Sequence, residues 1–216
     1  MKWLFSKKRK RPFTGSGDYW VQRYGDGRTF GSGSYGRLAE YKAGFINDFV
    51  RDNGIGAVIE FGSGDGNQAS MFDFADYTGV DLVPQVVEAA RARFADRPGW
   101  RFLTVAEDVA EAGRYDLAMS LDVIYHLVED DVFEAYMTRL FAASDRFVLV
   151  YASDVDMVDT GNAHVRHRRY SDWVAANAPD FREAGAWDQP YPAAPSQETR
   201  ATSFAAFKLF ERRRLS

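Results

Sequence analysis

A short apolar segment, Ala57–Phe61, runs directly into the glycine-rich stretch Gly62–Gly66 (GSGDG). Glycines at such a junction allow a tight turn after a buried strand and let the backbone approach a ligand closely. The residues after the loop predict a helix that begins near Asn67. This order of strand, loop and helix constrains the fold most, because it is typical of the first unit of a nucleotide-binding sheet.

Strand and helix patterns alternate along the rest of the chain. Because the predicted strands are short and apolar, we expect a doubly wound α/β fold, with a mostly parallel sheet covered by helices on both faces. The strands are predicted at 57–61, 77–81, 100–105, 115–121, 146–151 and near 203–210. The helices are predicted near 19–24, at 37–53, from about 67, at 84–94, at 129–141 and near 171–178.

An acidic residue, Asp81, ends the second predicted strand, nineteen residues after Gly62. A carboxylate at this place accepts hydrogen bonds from a ribose diol. The dinucleotide fingerprint needs a third glycine where this chain has Asn67, and the acids Glu60 and Asp65 would repel a pyrophosphate. They suit a ligand with an ammonium and a sulfonium group. We therefore predict S-adenosylmethionine as the cofactor, with NAD and a turn that binds no ligand as alternatives.

Three segments resemble motifs of the class I methyltransferases. VIEFGSGDGN at 58–67 resembles the first motif, GVD at 79–81 the second, and YDLAMSLDVIYHL at 115–127 the fourth-strand motif. The resemblance covers roughly residues 37–152. It implies a seven-stranded sheet with an antiparallel last strand, and a methyltransferase domain over 37–216. The stretch 19–50 also resembles a narrower bacterial group associated with surface-polysaccharide or glycan genes.

The cofactor-binding residues follow from these motifs. Asp81 is expected to bind the ribose, and Glu60, Gly62 and Gly64 to line the methionine part. The acid that marks the adenine position is either Glu107 or Asp108. The full predicted set is Tyr35, Arg37, Glu60, Gly62, Ser63, Gly64, Asp65, Asp81, Leu82, Glu107 and Asp122.

Catalytic candidates follow the fourth predicted strand. Asp122 and His126 lie on the side where open α/β sheets bind ligands. A hydroxyl acceptor needs a base to take its proton, and histidine titrates near neutrality. We therefore predict His126 as the base; the alternative is a histidine that packs a loop or hydrogen-bonds the cofactor.

Two further histidines, His164 and His167, follow the fifth strand and are additional catalytic candidates. Three interpretations remain open for them: a base or substrate-binding role, a solvated basic loop, or a metal site. Their spacing would place both on one helical face, and the arginines beside them suit a phosphate or carboxylate of a substrate. We predict no bound metal; if one is bound, its oxygen ligands would come from Asp154, Asp156 and Asp159.

The first 36 residues differ in composition from the rest of the chain. Six of the 27 basic residues lie before residue 14, which leaves 21 basic against 31 acidic residues in the remainder. The interpretations of this basic tail are a disordered terminus and weak contact with an anionic membrane surface through Trp3–Phe5. Residues 12–36 predict a glycine- and tyrosine-rich lid, or a segment packed on the sheet. Its aromatic and polar residues are Tyr19, Trp20, Arg23, Tyr24, Ser34, Tyr35 and Arg37.

The amino-acid composition limits the reactions and partners that we expect for this chain. The chain has no cysteine, which excludes thiolate-assisted methylation of a pyrimidine carbon, and its acidic body disfavours nucleic acid as a partner. No apolar run approaches a signal peptide or a membrane span, so we expect a cytoplasmic protein. We predict O-methylation of a small molecule or glycan. The rivals are a protein or RNA methyltransferase, a non-catalytic S-adenosylmethionine-binding module and a nicotinamide-dependent oxidoreductase.

Overall fold

A computed structural model of the protein describes residues 12–25, 32–111, 114–157, 160–194, 199 and 201–213. The basic tail, residues 26–31 of the predicted lid and the candidate ligand Asp159 lie outside the described residues. No helix within the described part is long and apolar enough to cross a membrane.

The described residues form seven strands and six α-helices in an alternating order. The strands are β1 Ala57–Phe61, β2 Asp76–Asp81, β3 Trp100–Thr104, β4 Tyr115–Leu121, β5 Ser144–Ala152, β6 Phe181–Trp187 and β7 Ala206–Arg212. The helices are α1 Ser16–Gly25, α2 Gly36–Asp52, α3 Pro84–Arg93, α4 Val105–Glu111, α5 Asp130–Ala142 and α6 Tyr170–Asn177.

The strands form one sheet in the order β3-β2-β1-β4-β5-β7-β6. Strands β1 to β5 are parallel, whereas β7 runs antiparallel to both of its neighbours. The order of the strands changes direction between β1 and β4, because β2 and β3 lie on one side of β1 whereas β4 and β5 lie on the other. At such a point a doubly wound fold opens a crevice for a ligand. Phe61 pairs with Ser120 on one side and Val80 on the other, so the loops after β1, β2 and β4 leave the sheet at one level.

Both faces of the sheet are buried. One apolar core joins α2 and α3 to the side chains of one sheet face, including Ile46, Val58 and Leu117. The second core joins α5 and α6 to the opposite face, including Ile59 and Met137. The doubly wound α/β fold with helices on both faces and a reversed last strand is confirmed.

The short helix α4 begins with a reciprocal cap that the sequence analysis did not recognise. The Glu107 carboxylate accepts hydrogen bonds from the Thr104 backbone N–H (2.7 Å) and hydroxyl (2.8 Å), and the Glu107 N–H points back at the Thr104 hydroxyl (3.3 Å). Such a capping box satisfies backbone donors that a helix start leaves open.

The predicted helix from about Asn67 is wrong. The glycine loop continues into turns and a single 3₁₀ turn at Ala69–Met71, and extended chain follows from Phe72. Polar side chains bond the local backbone instead: Asp65 accepts from the Asn67 N–H (2.9 Å), and the Ser70 hydroxyl donates to the Asn67 carbonyl (2.7 Å). Such bonds offer the backbone an alternative to the helical pattern.

The last strand also begins later than predicted, at Ala206 instead of Ser203. Ser203 stays outside the ladder because its backbone N–H donates to the Tyr191 carbonyl and its own carbonyl accepts from Ala193. The edge strand β6 had no signal of its own in the sequence, since its residues after Phe181 are exposed or half-buried.

Candidate active site

The glycine loop turns the chain sharply after β1. Gly62 has a φ of 85°, and a Cβ on it would lie 2.4 Å from a Val123 methyl group. Its backbone N–H and that of Ser63 donate to the Val80 carbonyl (2.7 and 3.1 Å). Only glycine can adopt this turn without a clash. The two hydrogen bonds to Val80 tie the loop to the end of β2.

Asp81 is held rigidly at that strand end. One carboxylate oxygen accepts from the Gly64 N–H and the other from the Val83 N–H, both at 3.0 Å. Burial raises the pKa of Asp81, and the backbone donors oppose that shift. Each carboxylate oxygen keeps a further lone pair, and Asp81 lines the cavity described below.

A small recess opens beside the glycine loop. It contains a buried cation, a buried carboxylic acid and a buried amide: Lys42, Glu60 and Gln68. Tyr77 donates its hydroxyl to Glu60 (2.5 Å), and burial raises the pKa of Glu60 to about 7. The complete lining of the recess is Ser34, Lys42, Glu60, Gly62, Ser63, Gly64, Asp65, Gln68 and Leu121.

One polar atom in the recess lacks a partner. Gln68 donates its amide N–H to the Ala39 carbonyl (2.9 Å), which leaves its Oε1 buried without a hydrogen bond among the described residues. A buried acceptor without a donor costs about 1–3 kcal/mol. An ammonium group in the recess would supply the donor, so the recess fits the ammonium end of the methionine part of the predicted cofactor.

Asp122 joins the recess to the larger cavity. Its carboxylate accepts from the Lys42 ammonium (2.6 Å) and from the Tyr125 hydroxyl (2.9 Å). Its backbone φ is 60°, a left-handed conformation that is unusual outside glycine. Gly33 lies directly over it, since a Cβ there would be 2.5 Å from a carboxylate oxygen.

A main cavity of about 740 Å³ opens at the carboxyl ends of β1, β2 and β4. This volume is in the range of pockets that enclose drug-sized ligands, and most of its wall is apolar. Its lining residues are Ser16, Gly17, Trp20, Tyr24, Gly33, Ser34, Phe61, Gly62, Val80, Asp81, Leu82, Val105, Leu121, Asp122, Val123, Tyr125, His126, Leu127, Val132, Ala135, Tyr136, Arg139, Thr160, Asn162, His164, Val165, His167 and Phe204.

Helix α1 covers part of the main cavity. Its first residue, Ser16, donates its backbone N–H (2.8 Å) and its hydroxyl (2.5 Å) to Glu129 and accepts from the Val128 N–H (3.0 Å). The indole ring of Trp20 meets His126 edge-on, with ring centroids 4.9 Å apart. The described part of the predicted lid therefore reaches the candidate base.

His126 is half-buried in the cavity wall. Its Nδ1 lies 3.1 Å from the His164 backbone carbonyl. Burial lowers the pKa of His126 to about 4, so the ring is neutral near pH 7. A carbonyl can only accept a hydrogen bond, so Nδ1 carries the ring hydrogen and Nε2 is left as the acceptor.

The other two histidines also line the main cavity. His164 stacks on Tyr19 with ring centroids 4.3 Å apart. His167 is 2% exposed, and its Nδ1 lies 2.5 Å from the Ser153 hydroxyl. Burial lowers the pKa of His167. The structure thus brings all four predicted catalytic candidates to one cavity.

The arginines beside these histidines are already occupied. Arg166 and Arg168 both donate to the Val128 carbonyl (3.1 and 2.7 Å) and pair with Asp130 (2.9 Å each). They fasten the loop to the start of α5, which leaves little of their charge for a substrate.

The candidate oxygen ligands have other partners. Asp154 pairs with Lys208 (2.7 Å), and Asp156 accepts from the Arg169 N–H (3.0 Å). Among the described residues no group of three or more histidine, aspartate or glutamate side chains could hold a metal ion.

Three predicted cofactor-binding residues line neither the main cavity nor the recess. Tyr35 donates its hydroxyl to Asp65 at the recess, and burial raises its pKa to about 12. Arg37 is exposed, lies over the Tyr191 ring and donates to the Ala201 carbonyl. Glu107 caps α4 and pairs with Arg91, 3.0 Å away.

The other candidate for the adenine position, Asp108, is buried against Arg139 and likewise does not line the cavity. Leu82 does line it, together with Val105.

Lys42 and Gln68 were missed by the sequence analysis. Lys42 has a signal that could have revealed it: on α2 it falls between Leu38 and Ile46, one turn from each, on the buried face of the helix. A lysine inside an apolar stripe needs a charged partner. Gln68 had no such signal, because the segment around it was assigned to a helix.

Residues 59–144 match a family model described as a methyltransferase domain. No curated protein matches the sequence significantly. The matched segment contains the glycine loop, Asp81, Asp122 and His126.

Solved structures share the fold at low identity. Magnesium protoporphyrin IX methyltransferase from Synechocystis, crystallised with S-adenosylhomocysteine, is 18% identical, with a TM-score of 0.60 over 90% of this chain and 93% of that one. The methyltransferase domain of bacterial CtHen1-C is 19% identical, with a TM-score of 0.59 over 82% of this chain and 100% of that one. An S-adenosylmethionine-dependent methyltransferase from Clostridium acetobutylicum is 12% identical, with a TM-score of 0.56 over 80% and 92%.

The matched domain, the sheet order and the loop and acid at the ends of β1 and β2 define the class of this protein. It is an S-adenosylmethionine-dependent methyltransferase. Its cofactor is S-adenosylmethionine, as the sequence predicted.

Proposed function

We propose that this enzyme methylates a hydroxyl group of a small molecule or glycan, with His126 as the base. The observation that carries the proposal is the bond from His126 Nδ1 to the His164 carbonyl. It fixes the tautomer in which Nε2 can accept a proton, on the wall of the main cavity. Because burial lowers the pKa of His126 to about 4, the ring is in its accepting form at neutral pH.

The cofactor is placed by residues of the recess and the strand ends. Asp81 accepts hydrogen bonds from the ribose hydroxyls. Glu60 and Gln68 Oε1 would hold the ammonium group of the methionine part. Lys42, which stays paired with Asp122, would lie near its carboxylate. Leu82 and Val105, both exposed on the cavity rim, offer apolar surface to the adenine. The loop residues Gly62, Ser63, Gly64 and Asp65 complete the proposed cofactor contacts.

In the proposed reaction, Asp122 and His126 lie beside the reacting atoms. When bound, the cofactor would supply an electrophilic methyl group and keep the electron pair of its carbon–sulfur bond on sulfur. The acceptor oxygen would take the methyl group, and His126 would take the hydroxyl proton. A positioned base contributes about 10²–10⁴-fold to such a step. The Asp122 carboxylate stays neutralised by Lys42 and holds Tyr125 in place.

The shape of the cavity favours a small acceptor over a protein or RNA. Helix α1 covers part of it with Trp20 and Tyr24, and His126 is half-buried in its wall, which favours an acceptor small enough to enter the cavity. Aromatic side chains at the roof suit a planar ring or the face of a sugar. One structural neighbour is itself named for a small-molecule acceptor, magnesium protoporphyrin IX, which supports this size class.

The test is a panel of hydroxyl acceptors scored by release of S-adenosylhomocysteine. We expect His126→Ala to lower kcat by about 10²–10⁴-fold while leaving calorimetric binding of S-adenosylhomocysteine unchanged. Added imidazole should restore part of the rate, since the deletion leaves a ring-sized space beside the acceptor.

His164→Asn tests the competing base and keeps the backbone carbonyl that orients His126. We expect a smaller loss, which imidazole does not reverse. An equal loss in His164→Asn, or no rescue of His126→Ala, contradicts the assignment of the base. Binding of the cofactor without transfer to any acceptor favours the alternative of a non-catalytic binding module.

A further inference from the structure

A second imidazole in the main cavity has its tautomer set by a buried serine. The Ser153 hydroxyl lies 2.5 Å from His167 Nδ1, and both residues are buried, at 4% and 2% exposure. Within the part of the chain that the structure describes, the Ser153 hydroxyl has no other partner. A buried hydroxyl whose only neighbour can accept a proton donates to it, because otherwise its own hydrogen is left unsatisfied.

This donation fixes the hydrogen of the His167 ring. Nδ1 must be unprotonated to accept, so Nε2 carries the hydrogen and is a donor. The backbone holds the residue in place, because His167 exchanges hydrogen bonds with Met157 in both directions (3.1 and 3.3 Å). Phe204 fixes the ring edge-on, with centroids 4.7 Å apart.

His126 and His167 thus present opposite groups to the same cavity. His126 offers an acceptor, Nε2, and His167 offers a donor, Nε2–H; neither has a protein partner among the described residues. Both rings contact Tyr125, with centroid distances of 4.6 and 5.9 Å. An acceptor atom and a donor hydrogen are therefore both presented beside Tyr125 in the main cavity.

We propose that this pair selects an acceptor whose reactive hydroxyl is next to a second oxygen, as in a vicinal diol or an α-hydroxy carbonyl compound. The inference rests on the proposed function, since His126 receives the proton of the hydroxyl to be methylated. His167 donates to the neighbouring oxygen and orients the substrate. An acceptor with one hydroxyl alone leaves the His167 N–H desolvated without a partner, which weakens its binding.

The first test reads the tautomers directly, without turnover. In ¹⁵N–¹H correlation spectra of the full-length protein with S-adenosylhomocysteine, we expect His126 as the Nδ1–H form and His167 as the Nε2–H form. Ser153→Ala should leave His126 unchanged and turn His167 into a mixture of tautomers, and Ser153→Thr should restore the single form. His167 in the Nδ1–H form in the unaltered protein overturns the proposal.

The second test measures binding of matched probes to the S-adenosylhomocysteine complex by calorimetry. One arm compares catechol with phenol, and the other compares cis-1,2-cyclohexanediol with cyclohexanol. We expect the vicinal compound to bind about five- to tenfold more tightly in at least one arm, as one additional hydrogen bond predicts. The arm that responds shows whether the ring is aromatic or saturated.

His167→Phe and Ser153→Ala provide the control. Both should reduce the preference for the vicinal compound to less than twofold, with S-adenosylhomocysteine affinity unchanged as proof of folding. No preference in either arm, including no binding of any probe, or a preference that persists in both variants, overturns the proposal. Failure of His126→Ala to reduce transfer while the preference stands would instead overturn the base assignment of the proposed function.

Discussion

The cofactor side of the cavity (Glu60–Asp65 with Asp81) comes from the ends of two consecutive strands, whereas the acceptor side is assembled from four distant segments. The acceptor side consists of Trp20, Tyr125–His126, His167 and Phe204. The cofactor side depends on backbone turns and on the carboxylates of Glu60 and Asp81, while the acceptor side depends on side-chain tautomers and ring packing. A short motif can therefore predict the first, but only the folded chain brings the second together.

The largest effect is expected at the carboxylate that anchors the cofactor side. Asp81→Ala would remove the proposed hydrogen bonds to two ribose hydroxyls, as well as the tether of the Gly64 N–H. Each bond to a charged group contributes about 1.5–3 kcal/mol, so we expect the affinity for S-adenosylhomocysteine to fall about 100-fold or more in calorimetric titration.

Asp76→Ala is the matched control for Asp81→Ala. Asp76 is exposed at the other end of the same strand, so its loss should change the affinity by less than twofold. If both variants bind the cofactor like the unaltered protein, the cofactor side does not depend on Asp81, and the contrast between the two sides fails.

A smaller effect is expected from the pH dependence of cofactor binding. The pKa of Glu60 is raised to about 7 because burial penalises its charged form. A cationic ammonium favours the ionised form, which is about one-tenth populated at pH 6 and nine-tenths at pH 8. We expect the affinity for S-adenosylhomocysteine to rise by about tenfold from pH 6 to pH 8.

The stability of the apo protein should change in the opposite direction. Because the folded pKa lies above the unfolded value of 4.5, the stabilising contribution of protonated Glu60 is full below pH 4.5 and is lost as the pH rises through about 7. Glu60→Gln keeps a partner for Tyr77 and should flatten both pH profiles. If cofactor affinity and stability depend on pH as steeply in Glu60→Gln as in the unaltered protein, a group other than Glu60 is responsible.

The smallest effect is expected at the roof of the acceptor side. Trp20 shields His126 from water, so Trp20→Ala should raise the pKa of His126 by about one unit from its value of about 4. Titration of the histidine ring signals by NMR measures this shift, while the affinity for S-adenosylhomocysteine should change less than threefold.

Val21→Ala controls for a general effect on the same helix, because Val21 is 46% exposed. A pKa of His126 that stays near 4 in Trp20→Ala means that the desolvation comes from the other walls of the cavity. A large loss of cofactor affinity in Trp20→Ala means that α1 contributes to both the cofactor side and the acceptor side. The two sides would then not be independent of each other.

The sequence predicted the sheet well where strands are buried on both faces. Strands β1 and β4 begin and end at the predicted residues, because short, mostly apolar runs bounded by polar loops leave little choice of limits. The edge strand β6 escaped notice because solvent on its outer side permits polar residues. The false helix after the glycine loop came from ignoring the turn-forming side chains of Asp65 and Ser70.

The parts of the site whose residues are close together in the sequence were easier to predict than the parts that folding brings together. Asp81 and the glycine loop were found from spacing alone and lie within hydrogen-bonding distance of each other. The contribution of Ser153 to His167 could not be foreseen, because it depends on a buried pair that only the path of the chain after β5 creates. Lys42 was visible as a charge in an apolar stripe, but its partner, 80 residues away, was not.

The buried pair of Lys42 and Asp122 limits which substitutions these two positions can accept during evolution. Replacing either residue alone leaves the other charge in the interior without its partner, and breaking a buried pair from one side costs about 3–5 kcal/mol. Replacing both with apolar residues avoids that cost but leaves an apolar side chain at the left-handed φ of position 122, a conformation that aspartate tolerates better. Positions 42 and 122 are therefore coupled, and descendants of this chain are expected to keep both charges or to lose both together.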